Sequence, residues 1–169
     1  MRTNDFLKMH PPEKHSWRGK VTISFGYLEH GWIQMAITCT AYVQGVIVDL
    51  SSVFDPFPEM IRWVEDIAAG NLPSQFVIDE EGEGKIFRAS PVNDNEFLFE
   101  IAEWILHEEK KTDLPLYMYV QVSKRQFLSE FLRRWEELTN EKFDPRDWEH
   151  SDTDLRAMDV SKIRMAAEL

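Results

Sequence analysis

FDPFPEMIRWVEDIAAGNLPSQFVIDEEGEGKIFR, residues 54 to 88, reads as cap, amphipathic helix, stop, strand, acidic turn and strand. Asp55 can accept hydrogen bonds from the free amides of a first helical turn. Pro56 suits the opening position, where a missing N–H costs nothing. Glu59 places negative charge near the positive end of the helix. Phe57, Met60, Ile61, Val64, Ile67 and Ala68 recur at helical spacing and make one apolar stripe, with Arg62, Glu65, Asp66 and Ala69 opposite. Gly70 supplies a left-handed stop, and Pro73 prevents re-entry into helix. Phe76-Val77-Ile78 and Ile86-Phe87 then flank Asp79-Glu80-Glu81-Gly82-Glu83-Gly84, which predicts a hairpin connection.

Working outward, the chain before this stretch alternates. Val21, Ile23, Phe25 and Tyr27 share one face, and Ile33, Met35, Ile37 and Cys39 share another, with a turn at Glu29-His30-Gly31. Cys39 therefore reads as a buried structural thiol, since a nucleophile wants exposure and a nearby cation. Val46-Ile47-Val48 reads as a short buried strand. Beyond the stretch, Phe97, Phe99, Ile101 and Ile105 share a face, with Glu103 the odd member, and Leu98, Ala102, Trp104 and Leu106 share the other. Leu116, Met118, Val120 and Val122 face the core in the next strand, which leaves Tyr117, Tyr119 and Gln121 facing away. Ser123 with Gln126 is a capping box. It opens a helix to about Thr139, buried through Phe127, Leu128, Phe131, Leu132, Trp135 and Leu138. Glu130–Arg134 and Arg133–Glu137 are expected as pairs on its wet side.

Short links between neighbouring strands make an antiparallel ladder the economical choice. The expected fold is α+β: a single, mostly antiparallel sheet of about five or six strands with two main helices packed on one face. Residues 1–19 read as an N-terminal arm with Trp17 as its anchor, 20–150 as one domain, and 151–169 as a tail that docks, swaps or stays loose.

The chain has 169 residues, 43% of them hydrophobic, which suits one domain able to bury its own core. One cysteine precludes an internal disulfide and a thiolate zinc cluster. A net charge of −11 argues against nucleic acid as a partner and for a basic one. No apolar run approaches the ~20 residues needed to span a bilayer, and the opening residues lack a secretory apolar core. The expected setting is cytoplasmic, with no membrane partner.

Chemistry-bearing patterns are few. Asp79, Glu80, Glu81 and Glu83 offer oxygen ligands, but not at EF-hand spacing, so a solvated turn is expected and no metal. His10, His15, His30, His107 and His150 form no ligand pair. There is no nucleophile elbow, P-loop or dinucleotide fingerprint, so no cofactor and no catalytic residue is assigned. Glu103 is expected to turn outward at a bulge or strand end; alternation unbroken to that point would bury its carboxylate and demand a partner such as Arg88 or Lys124. Trp104, Tyr117 and Tyr119, joined by Trp32, are expected on a sheet face opposite the core, where aromatic rings with polar tips favour recognition.

The segment Asp55-Pro56-Phe57, Ile61-Arg62-Trp63-Val64-Glu65, Ala69-Gly70, Leu72-Pro73 and Ile78-Asp79-Glu80-Glu81-Gly82 resembles part of small, acidic, uncharacterised bacterial proteins. Those are similar in style to immunity proteins that neutralise toxins. The resemblance implies a non-catalytic protein-binding domain and transfers no functional residue. The expected binding set is Trp104, Tyr117, Tyr119, Trp32, Asp79, Glu80, Glu81 and Glu83, facing a basic protein. The alternatives are a small-molecule enzyme or ligand-binding domain with a pocket between sheet and helices, and a homo-oligomeric structural protein, simplest as a homodimer, self-associating through the aromatic face or a free strand edge.

Overall fold

Alternation from Val21 onward gives β1 (Val21–Phe25) and β2 (Trp32–Cys39), joined through a turn where His30 and Gly31 take φ of 49° and 77°. β3 (Val46–Ser51) follows, with Val46, Val48 and Leu50 buried and Ile47 and Asp49 outward. The computed structural model describes residues 17–105 and 114–169. After β3 the chain enters α1 (Phe57–Ala69), then a meander of β4 (Ser74–Asp79), β5 (Glu83–Asn93), β6 (Glu96–Ile105) and β7 (Leu116–Ser123). Helices α2 (Lys124–Glu137) and α3 (Ser161–Glu168) complete the described elements.

The fold is α+β with antiparallel strands, but the strands divide into two sheets: β1-β2-β3 and β4-β5-β6-β7. The expected single sheet assumed that strands on either side of α1 share a ladder. A tight turn holds two strands at ladder spacing, whereas the segment between β3 and β4 is a helix, and no backbone pairing joins those two strands. Each sheet is an unbroken run of hairpins.

The inner faces of both sheets, α1 and α2 contribute to one core. At its centre the Trp63 ring lies 5.1 to 6.1 Å from those of Phe76, Phe87, Phe99 and Phe127. Such pairs contribute roughly 0.5–1.5 kcal/mol each beyond area burial. Trp63 stands three residues after Met60 and four before Ile67, so the buried face of α1 is wider than the stripe read from sequence. Where both sheets and both helices meet, the space left is about 20 Å³, lined by apolar side chains alone.

Pro56 rather than Asp55 is the N-cap of α1, one residue later than expected, but Asp55 still serves the helix start, its Oδ1 accepting from the Phe57 amide at 3.0 Å. Its other oxygen accepts from Trp148 Nε1 (3.2 Å) and Ser151 Oγ (2.6 Å), tying the C-terminal segment to the start of α1. That segment docks: Trp148, Leu155 and Ile163 belong to the same core. α3 is fixed from outside by Lys162–Glu65 and Arg164–Glu136 pairs. Cys39 is buried and free, and burial raises its thiol above the ordinary value. No helix among the described residues is long and apolar enough to cross a membrane.

Candidate functional site

A sheet with free edges offers unpaired N–H and C=O groups to any passing strand, and natural proteins block them. In an antiparallel ladder every second residue turns its backbone groups away from its partner. On β1 these are Val21, Ile23 and Phe25, and α2 meets all three. Gln126 Nε2 donates to the Val21 carbonyl (2.9 Å), and the Ile23 amide donates to Glu130 Oε1 (3.2 Å). Lys142, in the wide turn Leu138–Lys142 that continues α2, donates to the Phe25 carbonyl (2.6 Å). Gln126 therefore serves β1 rather than closing the capping box, although Ser123 caps α2 as expected. Glu130 lies against β1 and not on a wet face, with only 11% of its side chain exposed.

β7 is sealed differently. The Gln121 amide donates to the Trp17 carbonyl (2.7 Å), and the Gly19 amide donates to the Gln121 carbonyl (3.1 Å). Two residues along, the Tyr42 hydroxyl donates to the Tyr119 carbonyl (2.6 Å) and accepts from the Tyr119 amide (3.0 Å). Trp17 packs on Tyr42 at 5.6 Å between ring centroids, so it anchors the chain as expected. The rest of the arm, with His10 and His15, lies outside the described residues, as do Leu106 and His107.

The remaining edges, β3 and β4, face one another and carry far less. The Asp49 amide donates to Glu80 Oε1 (2.8 Å), and Ser51 Oγ donates to Glu81 Oε1 (3.4 Å). Those contacts step forward together along both strands and lie at one end. Beyond them the outward backbone groups of Ile47 on β3 and of Gln75 and Val77 on β4 have no ladder partner across the margin.

The acidic run closes this margin at one end. It makes the expected hairpin, with Glu81 and Gly82 at φ of 69° and 111° and the Gly82 amide donating to Asp79 Oδ1 (2.7 Å). Gly84 is required where the strands recross, because a Cβ there would strike the Ile78 carbonyl. The run is less solvated than expected. Glu80 reaches across to β3 and also takes the ammonium of Lys85 at 2.7 Å, and Lys85 is only 6% exposed. Among the described residues no three His, Cys, Asp or Glu side chains come together as a metal site.

Five of the sequence-predicted residues are not on an open face, Asp79 being half-buried at the end of β4. Tyr117 is 2% exposed and Trp104 7%, and Tyr119 and Glu80 are half-buried. A bulge in β7 explains Tyr117. The register runs Ile101 with Met118, then Ala102 with Leu116, so Tyr117 is the extra residue and moves to the core side. Leu116 takes the opposite face beside Ala102 and Trp104. The bulge is in β7, so β6 keeps its alternation and Glu103 does not turn outward. It stands opposite Lys85, and the Tyr117 hydroxyl donates to it at 3.4 Å. Lys85 lies 5.1 Å from the Tyr117 ring centroid. Burial first, then Glu103, raises the phenol above its ordinary value, so it keeps its proton. A phenol that stays protonated and a lysine clamped to a carboxylate are supports for the hairpin, with no nucleophile exposed.

Trp32 is 37% exposed on the outer face of the three-stranded sheet, in register with Ser51, the residue that meets Glu81. The structure thus brings Glu80 and Glu81 against β3, with Trp32 in register beside Ser51, while Asp79 and Glu83 flank the same turn on the side of β4 and β5. Tyr119 is left at the far edge, and Trp104 lies under the outer face of the larger sheet. Sequence reasoning missed Ile47, 41% exposed on the same face as Asp49, because Val46-Ile47-Val48 looks like a fully buried run. It also missed Lys85, whose signal was a lysine in phase with Phe87 on the core face.

No protein-family model matches the chain, and no curated protein or solved structure matches it either.

Proposed function

We propose that this chain is a non-catalytic protein-binding domain, in the manner of toxin-neutralising immunity proteins, whose partner is basic. The observation that supports this best is the β3/β4 margin, where Asp49, Asp79, Glu81 and Glu83 surround a pair of incompletely sealed edges. The cation placed among them, Lys85, is already paired to Glu80. Trp32 and Ile47 add exposed apolar surface beside those carboxylates. The net charge of −11 acts in the same direction by steering a basic partner inward. The 20 Å³ left at the apolar junction of sheets and helices is far below the several hundred Å³ of a usual small-molecule pocket, but clefts of about 460 Å³ beside Lys124 and Ala166 and about 440 Å³ beside Asn140 and Arg164 keep the ligand-binding alternative as the second reading. Among the described residues, a homodimer built by pairing strand edges would use the same β3/β4 margin.

Pull-down from the source cells at low and high salt tests the reading. The expected result is a basic protein captured at low salt, released at high salt, and lost with Glu81→Gln/Glu83→Gln and with Trp32→Ala. Retention of the partner by all these variants, or no specific partner at low salt, contradicts it.

A further inference from the structure

We infer that the basic partner docks by strand addition, laying an extended, lysine- or arginine-bearing segment along the β3/β4 margin and bonding to the outward backbone groups of Ile47 and Val77. The inference rests on the protein-binding reading above and adds its geometry. Its basis is an accounting of strand edges. β1 has one outward backbone group on each of Val21, Ile23 and Phe25 met by Gln126, Glu130 and Lys142, and β7 has both groups of Tyr119 and Gln121 met by Tyr42 and the 17–19 segment. A chain that blocks two edges this fully treats edge pairing as a hazard. The other two edges face each other and are held together by Glu80 and Glu81 at one end only.

Glu80 shows how the margin recognises backbone. Its carboxylate oxygen sits 2.8 Å from the Asp49 amide, the place a neighbouring strand's carbonyl would take. Further along, Ile47 presents the same kind of amide with no such stand-in. An incoming strand satisfies those groups by main-chain hydrogen bonds, and its alternate side chains supply specificity. Charge selects the occupant, since the carboxylates at the closed end favour basic side chains on that strand and disfavour acidic ones. The exposed Ile47 side chain provides apolar contact for residues alternating with them.

The test uses a synthetic peptide of about nine residues alternating lysine and valine, the full chain, and amide hydrogen exchange with and without peptide. The expected result is saturable, salt-sensitive binding that slows exchange at Ile47 and Val77 about tenfold or more and leaves Gln121 unchanged. Ile47→Pro removes one outward N–H that makes no ladder bond in the free protein, and should weaken binding about tenfold or more while keeping the fold. The same peptide N-methylated on alternate amides should lose binding to the unmodified protein, a check that needs no variant.

Salt-sensitive binding with unchanged exchange at Ile47 and Val77 overturns strand addition and leaves the acidic-surface reading standing. No binding of the peptide in any form overturns strand addition and weakens its premise with it. Protection at Ile47 that rises with protein concentration alone assigns the edge to a second copy of this chain and overturns the basic-partner form.

Discussion

Two margins of the same molecule treat their strand edges in opposite ways. Along β1 and β7, side chains and a short flanking segment take up one outward backbone group each of Val21, Ile23 and Phe25 and both groups of Tyr119 and Gln121. Along β3 and β4, one side-chain bond to a backbone amide and one between side chains hold the closed end, and among the described residues none meets the outward backbone groups of Ile47, Gln75 and Val77. Both margins belong to one core and one chain, so composition does not explain the difference. What differs is the polar equipment placed nearby: a glutamine, a glutamate and a lysine at helical spacing on one side, and four carboxylates in a turn on the other. The first set is matched to backbone donors and acceptors. The second is in excess over them, and excess charge at an open edge is what a partner of opposite charge reads.

The largest effect is expected at the closed end of the β3/β4 margin. Glu80→Ala removes both the clasp to Asp49 and the partner of a nearly buried Lys85, and should cost about 2–4 kcal/mol in urea unfolding. A loss below about 1 kcal/mol would mean Glu103 alone satisfies that ammonium. Glu130→Ala on the sealed side strips the Ile23 amide of its acceptor and takes the carboxylate from Arg133, while Arg134 keeps Glu137. Its expected cost is about 2–3 kcal/mol, also by urea unfolding, and an unchanged midpoint would mean that α2 does not seal β1. Tyr42→Phe removes one hydroxyl that both donates and accepts, and should cost about 1 kcal/mol. It should also increase self-association by light scattering, since it reopens β7.

Acid gives the smallest and most local effect. The Lys142 ammonium first, and then the Arg134 guanidinium, hold Glu137 down to about 2. For Glu130, burial pushes upward but is outweighed by hydrogen bonds from Arg133, the Ile23 amide and Arg134, so its carboxyl also lies below the ordinary value. Folded values below unfolded ones mean the stabilisation is complete above the ordinary 4.5. It is lost as pH falls from there through about 2. A carboxyl NMR titration should place Glu137 near 2, and a midpoint at the ordinary value would remove this link between α2 and the turn beyond it.

Much of the fold was legible where local chemistry decides it. Asp55, the stripe from Phe57 to Ala68 and Gly70 specify α1 without help from the rest of the chain, and the alternation in β1 and β2 and the Glu81-Gly82 turn are equally local. Sheet membership was not legible. Whether β3 and β4 pair depends on where α1 sets them down, which no residue in either strand encodes. The site was read in part. The acidic turn and Trp32 are at the margin, whereas Tyr117 is interior because one extra residue in β7 exchanges its faces, and Trp104 keeps the outer face but is covered there by Leu114 and Leu116. Glu130 and Gln126 looked like ordinary helix-surface residues because their partner is a strand more than a hundred positions away.

Native-state hydrogen exchange on the free protein tests the contrast between the margins most directly. The amides of Ile23, Tyr119 and Gln121 should be strongly protected, and those of Ile47 and Val77 should exchange about a hundredfold faster under the same conditions. Equal protection at Ile23 and Ile47 would show that the β3/β4 margin is closed in solution, contradicting the account.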